Sequence, residues 1–364
     1  MDLLIALPGF HRVQRGAEVA LENVGMQLAA LGNSVTLVGG GPAPAIAPYR
    51  YRSLPLVDRE RFVRWPALPV AHHEFMYEDA TFAPALAWTA ARTQGVDATI
   101  TCNYPYSSWA LRAHRPGRPR PAHVFVTQNG DWPATGNGFP SRWFRCDGLV
   151  CTNPVYYQRN RGRWPCALIP NGVDVHRFGP GPGARERFDL PTDRPIVLMV
   201  SALRTGKFVD RGIKSVAEVA DAFLVVAGDG PSRADLETLA REHLPGRHRF
   251  VTLAPAAMAD LYRSADVFLH MTPNESFGNV YIEALRSGVP VVAHDDPVTR
   301  WILDDHAHLA DTASVAETAA AIVAALDCDR DKLAAVAEAV PERFSWEAVG
   351  AAYHEFLTSV ALRK

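Results

Sequence analysis

Cysteine is scarce in this chain. Five occur among 364 residues, Cys102, Cys146, Cys151, Cys166 and Cys328, and none forms a Cys-x-x-Cys pair. That excludes a disulfide scaffold and a structural zinc site, and predicts buried, reduced thiols in a cytoplasmic protein. No run of eighteen uncharged apolar residues appears, so no spanning helix is expected. The opening Met-Asp-Leu-Leu-Ile has no basic stretch, so a cleaved secretory signal is not expected either. No Gly-x-Gly-x-x-Gly follows a strand pattern, which disfavours a dinucleotide-dependent oxidoreductase. Repeats and low-complexity tracts are missing as well.

Lysine is rarer still: Lys207, Lys214, Lys332 and Lys364 are the only four. The net charge of −2 conceals an asymmetry. Residues 1–180 hold 18 Arg, no Lys and 12 acids; residues 181–364 hold 19 bases and 27 acids. A first half at +6 and a second at −8 differ in electrostatic character. The basic half suits an anionic or membrane-proximal partner, unless its arginines simply line solvated faces. Nucleic acid fits poorly, because no aromatics alternate with Arg112, Arg115, Arg118 and Arg120. His72-His73-Glu74, read as lying on a helix, would diverge and make no metal site.

What is abundant is apolar sequence, 48% of residues, arranged as short runs alternating with helical patterns. Leu3–Leu7, a glycine-bearing loop through Pro8, Gly9 and Gly16, a helix ending at Gly32 and the run Val35–Val38 make one strand–helix–strand unit. Further strands are expected at Thr99–Cys102, His123–Thr127, Leu149–Cys151 and Ala167–Ile169. Residues 42–90 show no clean period and read as a loop-rich region. Gly179-Pro-Gly-Pro-Gly183 reads as the linker. Beyond it, apolar runs at 196–200, 223–227, 267–270 and 289–293 alternate with helices, which predicts a second doubly wound sheet. Ligands of such sheets bind outside the carboxyl ends of the strands.

Four post-strand segments carry chemistry. In Pro273-Asn-Glu-Ser-Phe-Gly-Asn-Val-Tyr-Ile-Glu283, a helix is expected to start at Gly278. The amides of Phe277, Gly278 and Asn279 would face phosphate oxygens. Glu275 and Glu283, about 12 Å apart along a helix, could grip hydroxyls at two ends of a ligand. The alternative makes Glu275 a helix-start acid and Glu283 a surface residue. In Val200-Ser-Ala-Leu-Arg-Thr-Gly-Lys207, Arg204 and Lys207 could neutralise a diphosphate or be plain surface cations. Gly228-Asp-Gly-Pro231 reads as a tight strand-to-helix turn with Pro231 at the first helical position. Pro170-Asn-Gly-Val-Asp174 reads as a hinge turn. His294-Asp295-Asp296 is either a ligand-lining or a structural loop end.

Together with Arg15-Gly-Ala-Glu18, Gly288-Val-Pro290 and Phe344-Ser-Trp346, this ordered set resembles glycosyltransferase family 4. The likeness is dense over 168–305 and thin before 123. It implies the α/β GT-B fold: two facing doubly wound Rossmann-like domains, 1–175 on the acceptor side and 176–345 on the donor side. A C-terminal helix, 346–364, would cross back to the first. It further implies retaining, metal-independent transfer of a sugar from a nucleoside-diphosphate sugar, UDP- or GDP-linked, with no cofactor. By that likeness Lys207 sits on the diphosphate, Glu275 on sugar hydroxyls, Glu283 on the ribose, and Gly16 in a loop near the donor phosphates.

Three departures from the family pattern matter. Arg15 stands where a first glycine is usual. Arg204 or Arg211 must partner Lys207, because Ala202 and Phe208 occupy the usual arginine places. Gln128-Asn-Gly-Asp-Trp132 stands where a histidine loop is usual, so Gln128, Asn129 or Asp131 would meet sugar or acceptor. The candidate catalytic set is therefore Glu275, Lys207, Arg204, Asn129 and Asp131. The donor-binding set is Gly16, Arg211, Gly228, Gly230, Phe277, Gly278, Asn279 and Glu283. No side chain stands out as a nucleophile. A nucleotide-sugar epimerase and a non-catalytic sugar-nucleotide binding protein are the alternatives.

Overall fold

A computed structural model describes residues 1–13, 15–68, 70–113, 119–131, 140–273 and 275–363. The chain divides into two compact units, Met1–Asn171 with Trp346–Lys364, and Gly172–Ser345. The division falls inside Pro170–Asp174, four residues earlier than expected. The Gly179–Gly183 run is not the boundary; it lies within the second unit, and a Cβ at Gly183 would sit 2.7 Å from the Arg263 carbonyl oxygen.

The first unit carries β1 Asp2–Ala6, β2 Ser34–Gly39, β3 Arg50–Ser53, β4 Ala98–Thr101, β5 Ala122–Val126, β6 Gly148–Cys151 and β7 Cys166–Leu168. They form one sheet in the order β3-β2-β1-β4-β5-β6-β7, and every pairing in it is parallel. Leu3 pairs with Val35 on one side and Ala98 on the other. Leu3, Leu4, Ile5 and Ala6 are all buried, as a strand covered on both faces requires. The second unit carries β8 Ile196–Val200, β9 Phe223–Ala227, β10 His248–Val251, β11 Val267–His270, β12 Val291–His294 and β13 Ala307–Ala310. Their order is β10-β9-β8-β11-β12-β13, again parallel.

The returning helix, Trp346–Leu362, is part of the first unit. Tyr353, Leu357 and Val360 share one core cluster with Leu3, Ile5 and Leu28. Asn33 Nδ2 lies 3.0 Å from His354 Nδ1. Full burial of aliphatic side chains such as Leu357 contributes about 2 kcal/mol apiece, so this helix is core rather than appendage. Among the described residues no helix is long and apolar enough to cross a membrane.

Residues 42–90 depart from expectation. They contain β3 and a 19-residue helix, Glu74–Arg92. Two features hid that helix. Its buried face includes Glu78 and Asp79, and Pro84 lies inside it. The carboxylates are compensated: Arg59 Nη2 donates to Glu78 at 2.6 Å, and Asp79 accepts from the Tyr106 and Ser107 amides at 3.0 Å each. His73 precedes this helix as its N-cap residue, so the His72-His73 pair is not helical. Cys102, Cys146 and Cys151 are buried, whereas Cys166 and Cys328 are half-buried.

Candidate functional site

The second sheet changes winding direction between β8 and β11, and the loops after both strands open there. A doubly wound sheet places its ligand crevice at such a switch point. The loop after β8 brings Lys207 and the segment after β11 brings Glu275. Lys207 Nζ donates to Glu275 Oε1. His270 Nε2 lies 3.2 Å from the same oxygen. His270 is the last residue of β11, buried, with its ring edge-on to Tyr281 at 5.0 Å. Burial raises the Glu275 carboxyl, but His270 and then Lys207 outweigh it and lower its pKa to about 2. The carboxylate is therefore ionised at every physiological pH and accepts hydrogen bonds strongly.

Glu283 has the opposite environment. Its Oε2 accepts from the hydroxyl of the fully buried Tyr262 at 2.9 Å. Burial raises its pKa, opposed by the Tyr262 hydrogen bond and the charge of Arg177. Tyr262 is held edge-on by Phe178 at 5.8 Å. Thus residues 172–178, at the start of the second unit, reach the Tyr262 side chain that holds Glu283. One carboxylate is held charged while the other resists charge, which suits two different polar partners.

The Phe277 side chain is part of the packing of the second unit. It is buried edge-on to Trp301 and Phe344 at 6.3 and 5.9 Å. Gly278 is the N-cap, at φ +79°, and the helix runs Asn279–Arg286, one residue later than expected. A Cβ at Gly278 would come 2.5 Å from the Tyr281 ring, so only glycine takes this turn without displacement.

Gly228 and Gly230 support the Lys207 loop from below. A Cβ on them would stand 1.9 Å from Ser201 O and 2.3 Å from Leu203 O. The Leu203 amide donates to Asp229 O at 2.9 Å. We expect Gly228→Ala to destabilise the protein by about 2 kcal/mol through this backbone collision. Thermal unfolding checks it, and an unchanged midpoint would remove the support role. Pro231 is not helical; the helix there begins at Arg233, two residues later, after the turn. Arg204 is exposed in the loop, and the Arg211 guanidinium lies over the Phe208 ring at 4.4 Å. Neither meets the Lys207–Glu275 pair in this state.

In the first unit, Gly16 is not in the loop but is the first residue of the helix Gly16–Ala30, with Arg15 as N-cap. The buried Glu18 presses on the loop after β1: a Cβ at Gly9 would meet its Oε1 at 2.0 Å. Asn129 Nδ2 donates to Asn103 Oδ1 at 3.2 Å, and Asn103 Nδ2 to Asp79 Oδ1 at 3.4 Å. Asp131 is buried and accepts from Asn160 Nδ2 at 2.7 Å, with Arg159 3.7 Å away. Asn171 Nδ2 donates to Gln128 Oε1 at 3.1 Å. Trp132, Arg115, Arg118 and Asn274 lie outside the described residues. Arg120 is bidentate to Asp147 at 2.9 and 3.0 Å. Asp296 caps the helix Pro297–Leu303 in a capping box, a structural loop end. Asp329, within an Asp-x-Asp-x-Asp run from Asp327, caps another, taking the Asp331 amide at 3.0 Å.

Sequence reasoning missed His270, Tyr262 and Asn103. The signal for His270 and Asn103 was positional: both stand at or just past the carboxyl end of a switch-point strand. Tyr262 had none, because a tyrosine one turn up the short helix Met258–Arg263 reads as core.

Residues 183–343, most of the second unit, match the family model for glycosyl transferases group 1. The chain is 32% identical over 223 residues to a D-inositol 3-phosphate glycosyltransferase of Xylanimonas cellulosilytica, covering 54% of this chain and 52% of that one. It is 29% identical over 307 residues to a 2-deoxystreptamine glucosyltransferase of Streptomyces kanamyceticus, covering 80% and 75%. The chain thus spans about half the length of the first of these relatives. Among solved structures, sucrose-phosphate synthase from Thermosynechococcus elongatus superimposes with a TM-score of 0.80 at 20% identity, covering 100% of both chains. The fold is GT-B, and residues 183–343 of its second unit match the group 1 glycosyl transferase model.

Proposed function

We propose that this chain is a retaining glycosyltransferase of family 4 that moves a sugar from a nucleoside-diphosphate sugar, UDP- or GDP-linked, to an acceptor hydroxyl. The observation that carries this reading is the Lys207–Glu275–His270 cluster at the switch point of the group 1 domain. In the free protein the ammonium and the carboxylate neutralise each other. An arriving diphosphate competes for Lys207, assisted by Arg204 or Arg211, and releases Glu275 to accept from sugar hydroxyls. Glu283 takes the ribose hydroxyls, and the Gly278 turn with the Asn279 helix start approaches the phosphates.

The bond from the anomeric carbon to the phosphate oxygen breaks with its electrons on the diphosphate. The new bond to the acceptor oxygen forms on the same face, and the acceptor hydroxyl's proton passes to the departing diphosphate oxygen. Positive charge on the sugar ring in the oxocarbenium-like transition state lies near the ionised Glu275. Negative charge grows on the leaving group near Lys207. No metal is required in this scheme. On the acceptor side, Asn103, Asn129 and Gln128 supply amides suited to hydroxyl recognition just past the carboxyl ends of β4 and β5.

The test incubates the chain with UDP- and GDP-sugars and a panel of hydroxyl acceptors. Release of nucleoside diphosphate is followed, and the product's anomeric configuration is read by proton NMR. Acceptor-dependent release with the donor's configuration retained is expected. Conversion of the donor to an epimer without acceptor, or an inverted product, would overturn the reading.

A further inference from the structure

One face of the first sheet is covered by the Glu74–Arg92 helix, where Leu4, Ala6 and Val38 pack against Phe82, Leu86 and Ala90. Directly paired residues of a sheet share a face, so the pairing carries this face across to β3. Leu4 pairs with Thr36 and Thr36 with Arg50; Ala6 pairs with Val38 and Val38 with Arg52. Asp2 pairs with Ser34 in the row before them. The face is therefore apolar under the helix and polar at one outer corner, where β1 and β2 begin beside β3.

The helix stops short of that corner. Thr93 is its C-cap, and Thr93, Gln94 and Val96 stand across a cavity of about 390 Å³ from Asp2, Ser34, Thr36, Arg50 and Arg52. Because the strands are parallel, this cavity lies at the opposite edge of the sheet from Asn103, Asn129 and Gln128. Five residues of strand separate the two edges by about 16 Å.

The polar groups of the corner have capacity to spare. Arg50 Nη2 donates to Ser34 Oγ and stands 3.6 Å from Asp2 Oδ1. Arg52 is exposed, and among the described residues no ion pair or hydrogen bond engages its guanidinium. Thr36 is only 7% exposed, yet among the described residues no hydrogen bond occupies its hydroxyl. The Gln94 carboxamide is exposed and unengaged in the same sense. A hydroxyl removed from bulk water without a partner is costly unless a bound molecule meets it.

The lining selects a class of ligand. Two guanidinium groups against one carboxylate leave a positive excess, and their planar forks match the oxygens of a phosphomonoester. The hydroxyls, the carboxamide and the Asp2 carboxylate match the hydroxyls of a sugar. A nucleobase would find no ring to stack on. Tyr51 turns to the other face of the sheet, where its ring lies on His11 at 4.2 Å and its hydroxyl donates to Phe10 O at 3.0 Å. The volume suits a single hexose phosphate.

We propose that this corner of the first unit is a binding site for a sugar phosphate, Arg50 and Arg52 meeting the phosphate and Ser34, Thr36, Asp2 and Gln94 the sugar hydroxyls. The site is separate from the proposed transfer chemistry and does not depend on it.

Calorimetric titration of glucose 6-phosphate and mannose 6-phosphate into the full chain tests it, with glucose and inorganic phosphate for comparison. At least one sugar phosphate is expected to bind one-to-one with a dissociation constant below about 1 mM. Glucose and phosphate alone should each bind at least about tenfold more weakly. Arg50→Gln with Arg52→Gln should weaken binding about thirtyfold, and Thr36→Val about fivefold. Both arginines are exposed, so the unfolding midpoint of the double variant should hold. UDP and GDP should leave the sugar-phosphate affinity unchanged, and amide hydrogen exchange should slow at 50–53 and 93–96 when the ligand is bound. Any one of four results would overturn the proposal: no saturable binding of either sugar phosphate, inorganic phosphate binding as tightly, equal affinity in the double variant, or displacement by a nucleotide. Slowed exchange confined to the loops after β4 and β5 would also overturn it, assigning the ligand to the acceptor side.

Discussion

Lys207→Ala is expected to lower kcat for sugar transfer by about 10²–10³-fold, the scale seen when one preorganised charge-stabilising group is removed. KM for the donor should rise less, because the ammonium is worth most when charge has developed on the leaving diphosphate. Glu275→Gln should show a loss of similar order, and the double variant should lose less than the sum. The two side chains share one contact in the free protein, and removing either alone leaves the other without its partner. Steady-state kinetics on the three variants checks this. A Lys207→Ala enzyme with kcat within about threefold of wild type would show that leaving-group stabilisation lies elsewhere.

Glu283→Gln is expected to raise the stability of the ligand-free protein while weakening nucleotide binding by about 10²-fold. The binding loss follows from exchanging charged for neutral acceptors of two hydroxyl hydrogen bonds, each worth about 1.5–3 kcal/mol when the acceptor is ionised. The stability gain follows from the sign of the pKa shift. Burial raises the folded-state value above the ordinary 4.5, so ionisation costs folding free energy. That cost is absent below about pH 4.5, grows as pH rises towards the folded-state value, and is constant above it. The neutral amide removes the cost and still accepts from Tyr262. Thermal unfolding between pH 4 and 8 should show the variant's advantage widening as pH rises. A variant less stable than wild type at pH 7, with unchanged nucleotide affinity, would contradict both halves. Such a trade of stability for ligand binding is common at functional carboxylates.

The alternation of buried runs with helices was legible because parallel strands covered on both faces read as short continuous apolar segments. Strands β1, β8, β9 and β11 stand within a residue or so of their expected positions for that reason. β3 was not legible: its sequence Arg-Tyr-Arg-Ser is that of an exposed edge strand, joined to the sheet only through β2. The Glu74–Arg92 helix was masked because buried ion pairing, not apolar periodicity, satisfies part of its inner face. The unit boundary was expected four residues late, and the glycine–proline run beyond it was read as the linker. A sequence that breaks helices does not thereby cross between cores, and here it wraps the Arg263 region of the second unit.

At the site, Lys207 and Glu275 were legible from position, each in a loop following a switch-point strand. Their mutual ion pair was not, because two residues 68 apart meet only through the β8–β11 pairing. Gly228 and Gly230 carried a readable turn signal, but the carbonyls they accommodate belong to a different loop. Asp131 looked like an available carboxylate in a turn, yet Asn160 and Arg159 of the helix Pro154–Asn160 engage it. A donor in a neighbouring helix leaves no trace in the local sequence.

Nothing probes the assignment of the second unit more directly than calorimetric titration of UDP and GDP into the wild-type chain and into Glu283→Gln. A donor site at the β8–β11 switch point predicts saturable one-to-one binding of at least one of them below about 1 mM, the usual ceiling for such substrates. It also predicts affinity about a hundredfold weaker in the variant. Absence of binding by either nucleotide, or equal affinity in both proteins, would contradict it.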